Sequence, residues 1–175
     1  MKTIFLILVM VIMVGTLNAV QPARKPFVKM KVDGILLKTG DILTVTRGQK
    51  LKLEVEMEGG RRDFCKFPDS YADIAGTAQI LSRGDNGLTY TLNDKKAEWK
   101  LLSEDVQFTS DDFIKIVTSG KPSTAEIIVS NEKFSQSFIK ATIKAIWQFS
   151  DNDTTRQEEN LAVASVYLKV AGASD

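Results

Sequence analysis

The chain has 175 residues, with 23 lysines and arginines against 22 aspartates and glutamates, one cysteine and no histidine. This near-neutral balance offers no electrostatic footprint for nucleic acid or for an anionic membrane surface. Without histidine, the usual general base, the usual partner of a nucleophilic serine or cysteine and the commonest zinc ligand are all missing, and the lone cysteine excludes an internal disulfide.

Met1 to Ala19 carries one basic residue, Lys2, an apolar run from Ile4 to Val14 and a small residue at Ala19. That is the layout of a secretory signal peptide cleaved after Ala19, and its apolar core is short for a membrane span. Cleavage removes Lys2 and no acid, which leaves 22 charges of each sign and no transmembrane span in the mature chain. The roughly 155 residues that remain suffice for one domain with a proper core. An exported domain without paired cysteines is expected in a bacterial periplasm, at the cell surface or secreted.

Residues 20–26 read as an extended lead-in, and residues 27–175 as the domain. Phe27 to Val32 starts a strand, Asp33-Gly34 signals a turn, and Ile35 to Lys38 and Ile42 to Thr46 continue as strands. From Lys50 to Glu58, Leu51, Leu53, Val55 and Met57 share one parity while Lys52, Glu54, Glu56 and Glu58 share the other, the mark of a half-buried strand.

Gly59 to Gly76 breaks the pattern. It holds Arg61, Arg62 and Asp63 beside Phe64, Cys65, Phe67 and Tyr71, with no sustained period. Long irregular segments inside compact domains are often functional, and forked guanidinium groups beside aromatic faces suit a sugar or peptide site. The plainer expectation is a crossover whose aromatics cap one end of the core and whose Cys65 is a small buried apolar residue.

Strand signals resume at Thr77 to Ser82 and Leu88 to Leu92, flanking Arg83-Gly84-Asp85-Asn86-Gly87, where Asn-Gly predicts a tight hairpin. Arg83-Gly84-Asp85 is also the tripeptide that integrin-binding proteins display, although glycine, aspartate and asparagine are what the turn itself requires. Ala97, Trp99 and Leu101 alternate with Glu98 and Lys100, which turns Trp99 inward. Ser103 to Asp112 is the most polar interior stretch, the place for a split into two small sandwiches if the chain is not one domain. Phe113 to Thr118 and Ala125 to Ser130 follow as strands.

The strongest pattern closes the chain. Ile139, Ala141, Ile143, Ala145, Trp147 and Phe149 share a parity across Ser137 to Phe149, as do Ala162, Ala164, Val166, Leu168 and Val170 across Leu161 to Val170. Each strand buries one face and wets the other, and Lys140, Lys144, Tyr167 and Lys169 stand on the wet face. In the loop between them, Asp151 and Asp153 cluster oxygen donors as weak candidates for calcium, without the glycine and terminal glutamate of an EF-hand loop. Roughly ten short strands with no long amphipathic helix predict an antiparallel all-β sandwich.

The run from Ile42 to Glu58, a strand, a glycine turn and an alternating strand, resembles the opening strands of bacterial extracytoplasmic immunoglobulin-like domains. The pair Ser137 to Phe149 and Leu161 to Val170 resembles their closing strands. Two departures stand out: no cysteine pair bridges the sheets, and the middle segment is long. The resemblance implies an immunoglobulin-like β-sandwich serving as an adhesin-type module or envelope-assembly subunit, with a protein partner. For catalysis only scattered carboxylates remain, and no pair is marked out by spacing, so the expectation is a non-catalytic protein without cofactors. The alternative is a small-ligand or carbohydrate-binding barrel or sandwich with residues 61–71 over its mouth.

Overall fold

The computed structural model describes residues 24–71, 74 and 78–171. The proposed signal peptide, residues 1–19, lies outside the described residues. In chain order the strands are β1 (Phe27–Val32), β2 (Ile35–Leu37), β3 (Ile42–Val45), β4 (Lys50–Glu58), β5 (Gln79–Gly84), β6 (Gly87–Leu92), β7 (Lys95–Ser110), β8 (Ile114–Thr118), β9 (Thr124–Val129), β10 (Gln136–Ser150) and β11 (Thr155–Val170). Among the described residues, one short α-helix, α1 (Gly60–Lys66), and a 3₁₀ turn at Pro68–Ser70 stand between β4 and β5.

The strands form two sheets, ordered β2-β1-β4-β9-β8 and β3-β11-β10-β7-β6-β5. Neighbours are antiparallel except β3, which runs parallel to β11. The chain is therefore all-β in character, and β1 and β4 of the first sheet pack against β10 and β11 of the second. The alternating parities meet between the layers: Leu53, Met57 and Ile127 from one sheet and Ile139, Ile143, Trp147 and Leu168 from the other are all at most 1% exposed. Each such large side chain contributes about 1.5–3 kcal/mol through removal from water.

Two turns show why these hairpins close. Asp33 and Gly34, between β1 and β2, both have positive φ (47° and 79°), as do Asn93 and Asp94 between β6 and β7 (51° and 61°). Two successive positive φ values match the right-handed twist of the flanking strands, and Asp, Asn and Gly tolerate them best. The Asn86-Gly87 signal also closes a hairpin, but Gly84 pairs with Gly87, so the turn residues are Asp85 and Asn86.

β7 is longer than its pattern suggests, because a bulge divides it. Leu101 pairs with Trp147 and Ser103 with Ile146, which leaves Leu102 as the extra residue, 45% exposed. Before the bulge Ala97, Trp99 and Leu101 face the core; after it the inward set is Glu104, Val106 and Phe108, on the opposite parity. One inserted residue thus switches the buried face. The polar stretch Ser103 to Asp112 is continuous strand as far as Ser110, paired to β10 along its length.

From Gly60 to Ser70 the segment after β4 is a folded cap instead of an irregular loop, α1 followed by the 3₁₀ turn. Gly59 turns the chain with φ 81°, at a spot where a Cβ would stand 2.5 Å from the Lys25 carbonyl oxygen. Any other residue there would be strained and would collide with backbone. Asp63 then reaches back to accept the Gly59 N–H at 3.2 Å, while its second oxygen accepts Arg24 Nε at 2.8 Å. The extended lead-in is tied down at Arg24, whose carbonyl also accepts the Gly60 N–H at 2.7 Å.

Candidate functional site

The Arg61–Tyr71 segment is built around a buried aromatic cluster. Phe64, 1% exposed, meets Tyr71 edge-on with centroids 5.2 Å apart and Trp99 at 6.2 Å. The Arg61 guanidinium lies 3.9 Å from the Trp99 ring centroid and 4.7 Å from that of Phe64, and donates to Glu158 Oε2 at 2.5 Å. Arg156 lies 5.5 Å from the same Trp99 centroid and 5.0 Å from that of Phe149. Asn160 ties the two strata, accepting the Arg61 N–H at 2.8 Å and donating to Glu158 Oε1 at 3.0 Å. Arg62 pairs with Glu104, the carboxylate that the β7 bulge turns inward.

These contacts set the electrostatics. Burial alone would raise Glu158, but hydrogen bonds from Arg61 and Asn160 outweigh it and hold its carboxyl below the usual range. Burial, aided by the Asp63 charge, pushes the Tyr71 phenol up. Burial pushes the Cys65 thiol up to about 12, which keeps it protonated and unreactive at neutral pH. Of the residues expected to rim a binding site, Arg61, Arg62 and Phe64 join α1 to β7 and β11. Phe67 alone among its aromatics is well exposed, at 51%.

Beside Arg62 lies a cleft of about 390 Å³ whose charged walls are Lys29, Lys31, Glu54, Glu56, Arg62 and Glu104. Lys29 is paired with Glu58 at 3.0 Å, Glu54 with Lys52 at 2.6 Å and Arg62 with Glu104. Among the described residues no aromatic ring lines it.

The loop-tip tripeptide folds back on the cap. Arg83 bonds Asp69 at 3.2 Å and Asp85 meets Lys66 at 3.2 Å, both exposed pairs of small energy. In the last hairpin, Asp151 Oδ1 accepts the N–H groups of Asp153 (2.8 Å) and Thr154 (2.7 Å) and the Thr154 hydroxyl (3.0 Å). Those backbone donors lower its carboxyl. Asp153 bonds Lys95 at 3.1 Å, and among the described residues no group of three or more acidic, cysteine or histidine side chains is placed to hold a metal ion.

The outer face of β10 and β11 gathers the remaining candidates. Lys140 and Lys144 stand opposite Ser165 and Leu161, Tyr167 stands opposite Phe138, and Lys169 opposite Gln136. β3 adds Ile42 beside Tyr167 on the same side. This face exposes Ile42 (60%), Leu161 (53%), Val163 (48%) and Tyr167 (37%). Lys144 bonds Glu159 at 2.7 Å, and Lys140 has no ion pair among the described residues. Leu161 and Val163 were legible as an anomaly, two aliphatic residues on the wet parity of their strand. Comparison with known family models, curated proteins and solved structures finds no match for this chain.

Proposed function

We propose that this chain is an exported, non-catalytic binding or scaffold module, an immunoglobulin-like sandwich that joins a protein partner in the bacterial envelope or at the cell surface. The observation that carries the reading is the outer face of β10, β11 and β3, where Leu161, Val163, Tyr167 and Ile42 are exposed on the same side as Lys140, Lys144 and Lys169. Aromatic and aliphatic anchors within a polar rim are the make-up of a protein interface.

The immunoglobulin-like reading draws support from strand order. Taken in chain sequence, β1, β4, β7, β8, β9, β10 and β11 match strands A to G: the order β1-β4-β9-β8 corresponds to A-B-E-D, and β7-β10-β11 to C-F-G. Trp99 on the strand matching C is buried, as the tryptophan of that strand is in such domains. The cap and the β5–β6 hairpin are then insertions between B and C. The apolar amino-terminal run supports export, as a signal peptide cleaved after Ala19.

The test is quantitative capture from envelope extracts with the wild-type chain and a Lys140→Glu, Tyr167→Ser double variant. The expected result is one stoichiometric protein partner for the wild type, its loss in the variant, and an unchanged urea midpoint. Retention of glycan without protein, or equal capture by both chains, would overturn the reading.

A further inference from the structure

We infer that the open edge of β11 accepts an extended segment of a partner protein as an added strand, an inference that rests on the binding-module reading. β3 pairs with β11 only across Tyr167–Val170, and the contact ends where Gly40 N–H donates to the Ser165 carbonyl and Tyr167 N–H to the Asp41 carbonyl, both at 2.8 Å. Those two bonds set the phase of the strand. Odd-numbered residues of β11 direct N–H and C=O away from β10, and even-numbered ones bond to it. Glu159, Leu161 and Val163 therefore offer backbone donors and acceptors on the side away from β10, where no strand pairs with them among the described residues.

Natural edge strands are kept single by charge, proline or shortness. On the open stretch of β11, before its pairing with β3 at Tyr167–Val170, the one charged residue on the exposed parity is Glu159, which bonds Lys144, and Leu161 and Val163 stand exposed beyond it. Alongside that stretch lies a hollow of about 410 Å³ walled by Phe27, Leu36, Leu37 and Val163, with Lys38 also in its lining. Lys29 and Glu58, also in the wall, neutralise each other at 3.0 Å, so Lys38 leaves the hollow with a net positive charge. A strand added here would alternate its side chains, one set filling the apolar hollow and the other lying on the outer face beside Leu161. The fitting occupant is thus a segment with apolar residues at alternate positions and a carboxylate for Lys38. A second copy fits worse: its Asn160, Ala162 and Ala164 are buried in its own core, which leaves its β11 nothing to place in the hollow.

The probe is the acetylated, amidated peptide Glu-Thr-Val-Thr-Val-Thr-Glu, whose valines and glutamates share one parity, titrated onto ¹⁵N-labelled full chain as the expressing cell processes it. Binding is expected to slow hydrogen exchange at the Leu161 and Val163 amides by at least about tenfold at saturation. N-methylation of the peptide N–H groups that face β11 is expected to weaken binding by about tenfold or more, because each bond is lost without steric change elsewhere. Replacing the terminal glutamates with lysines should weaken it as well. Val163→Pro removes an N–H on the open side and none from the β10 ladder, so the chain should still unfold cooperatively in urea and lose the peptide.

Equal affinity for the N-methylated peptide, shifts mapping away from β11, or no binding would overturn the inference. So would Leu161 and Val163 amides already protected without peptide, whether light scattering reports a dimer of this chain or a monomer whose own amino-terminal segment covers the edge. If the Lys140→Glu, Tyr167→Ser variant loses the envelope partner while the edge ignores the peptide, the inference fails and the binding-module reading stands. If no partner is captured at all, that reading fails.

Discussion

Phe64 and Phe67 lie three residues apart in a segment without periodicity, and the fold assigns them opposite roles. Phe64 is 1% exposed, with Tyr71 and Trp99 edge-on and the Arg61 guanidinium 4.7 Å from its centroid; Phe67 is 51% exposed. Truncating Phe64 to alanine removes about 1.5–3 kcal/mol of burial and edge-to-face contacts worth about 0.5–1.5 kcal/mol each, and leaves a cavity. The expected cost is about 3–5 kcal/mol, the usual range for a buried phenylalanine. With a urea dependence of about 2 kcal/mol/M, the unfolding midpoint falls by about 2 M. Phe67→Ala should stay within about 0.5 kcal/mol of wild type. Tryptophan fluorescence is the assay, since Trp99 and Trp147 are both buried and report loss of the core. A cost below about 1 kcal/mol for Phe64→Ala, or an equal cost for Phe67→Ala, would refute the cap and restore the segment as a peripheral rim.

The Arg61–Glu158 pair is expected to show a coupling of about 1–3 kcal/mol in a double-mutant cycle of Arg61→Met and Glu158→Gln, read by urea unfolding. Its pH dependence has a defined sign: Glu158 is lowered in the folded state, so its stabilisation is present above the ordinary glutamate range and is lost as pH falls through the folded value. Unfolding measured between pH 6 and pH 3 (about the carboxylate range) should lose stability less steeply in Glu158→Gln than in wild type. Cys65, with its thiol pushed up to about 12, should resist a thiol-specific disulfide reagent at pH 8 (about a thiol's ordinary range) in the native chain and react stoichiometrically in urea. Rapid labelling of the native chain would mean that the cap opens.

Much of the sheet was legible because its long strands keep one parity. In β10, Ile139 to Trp147 alternate without interruption and are buried at every second residue. Asp33-Gly34 announces its turn for the same local reason, the tolerance of those residues for positive φ. Other features depend on single residues or on distant partners. The seven residues of α1 are too few to display a helical period, and only the fold shows that Arg61 covers Trp99. The Leu102 bulge moves the buried set from odd to even positions, so Val106 and Phe108 look scattered in a stretch that is in fact strand. The parallel pairing of β3 with β11 brings together residues more than a hundred positions apart, and no local pattern encodes it. At the candidate site, parity alone puts Lys140, Lys144, Tyr167 and Lys169 on one face. The addition of Ile42 needed that pairing.

The most direct test of the binding face is site-specific photocrosslinking in living cells, with benzoylphenylalanine replacing Tyr167 on the outer face or Val117 on β8, the edge of the other sheet, where exposure is similar at 37% and 39%. The account predicts one dominant protein adduct from position 167 and none from position 117. The same adducts from both positions, or none from 167 with the chain folded and exported, would contradict it.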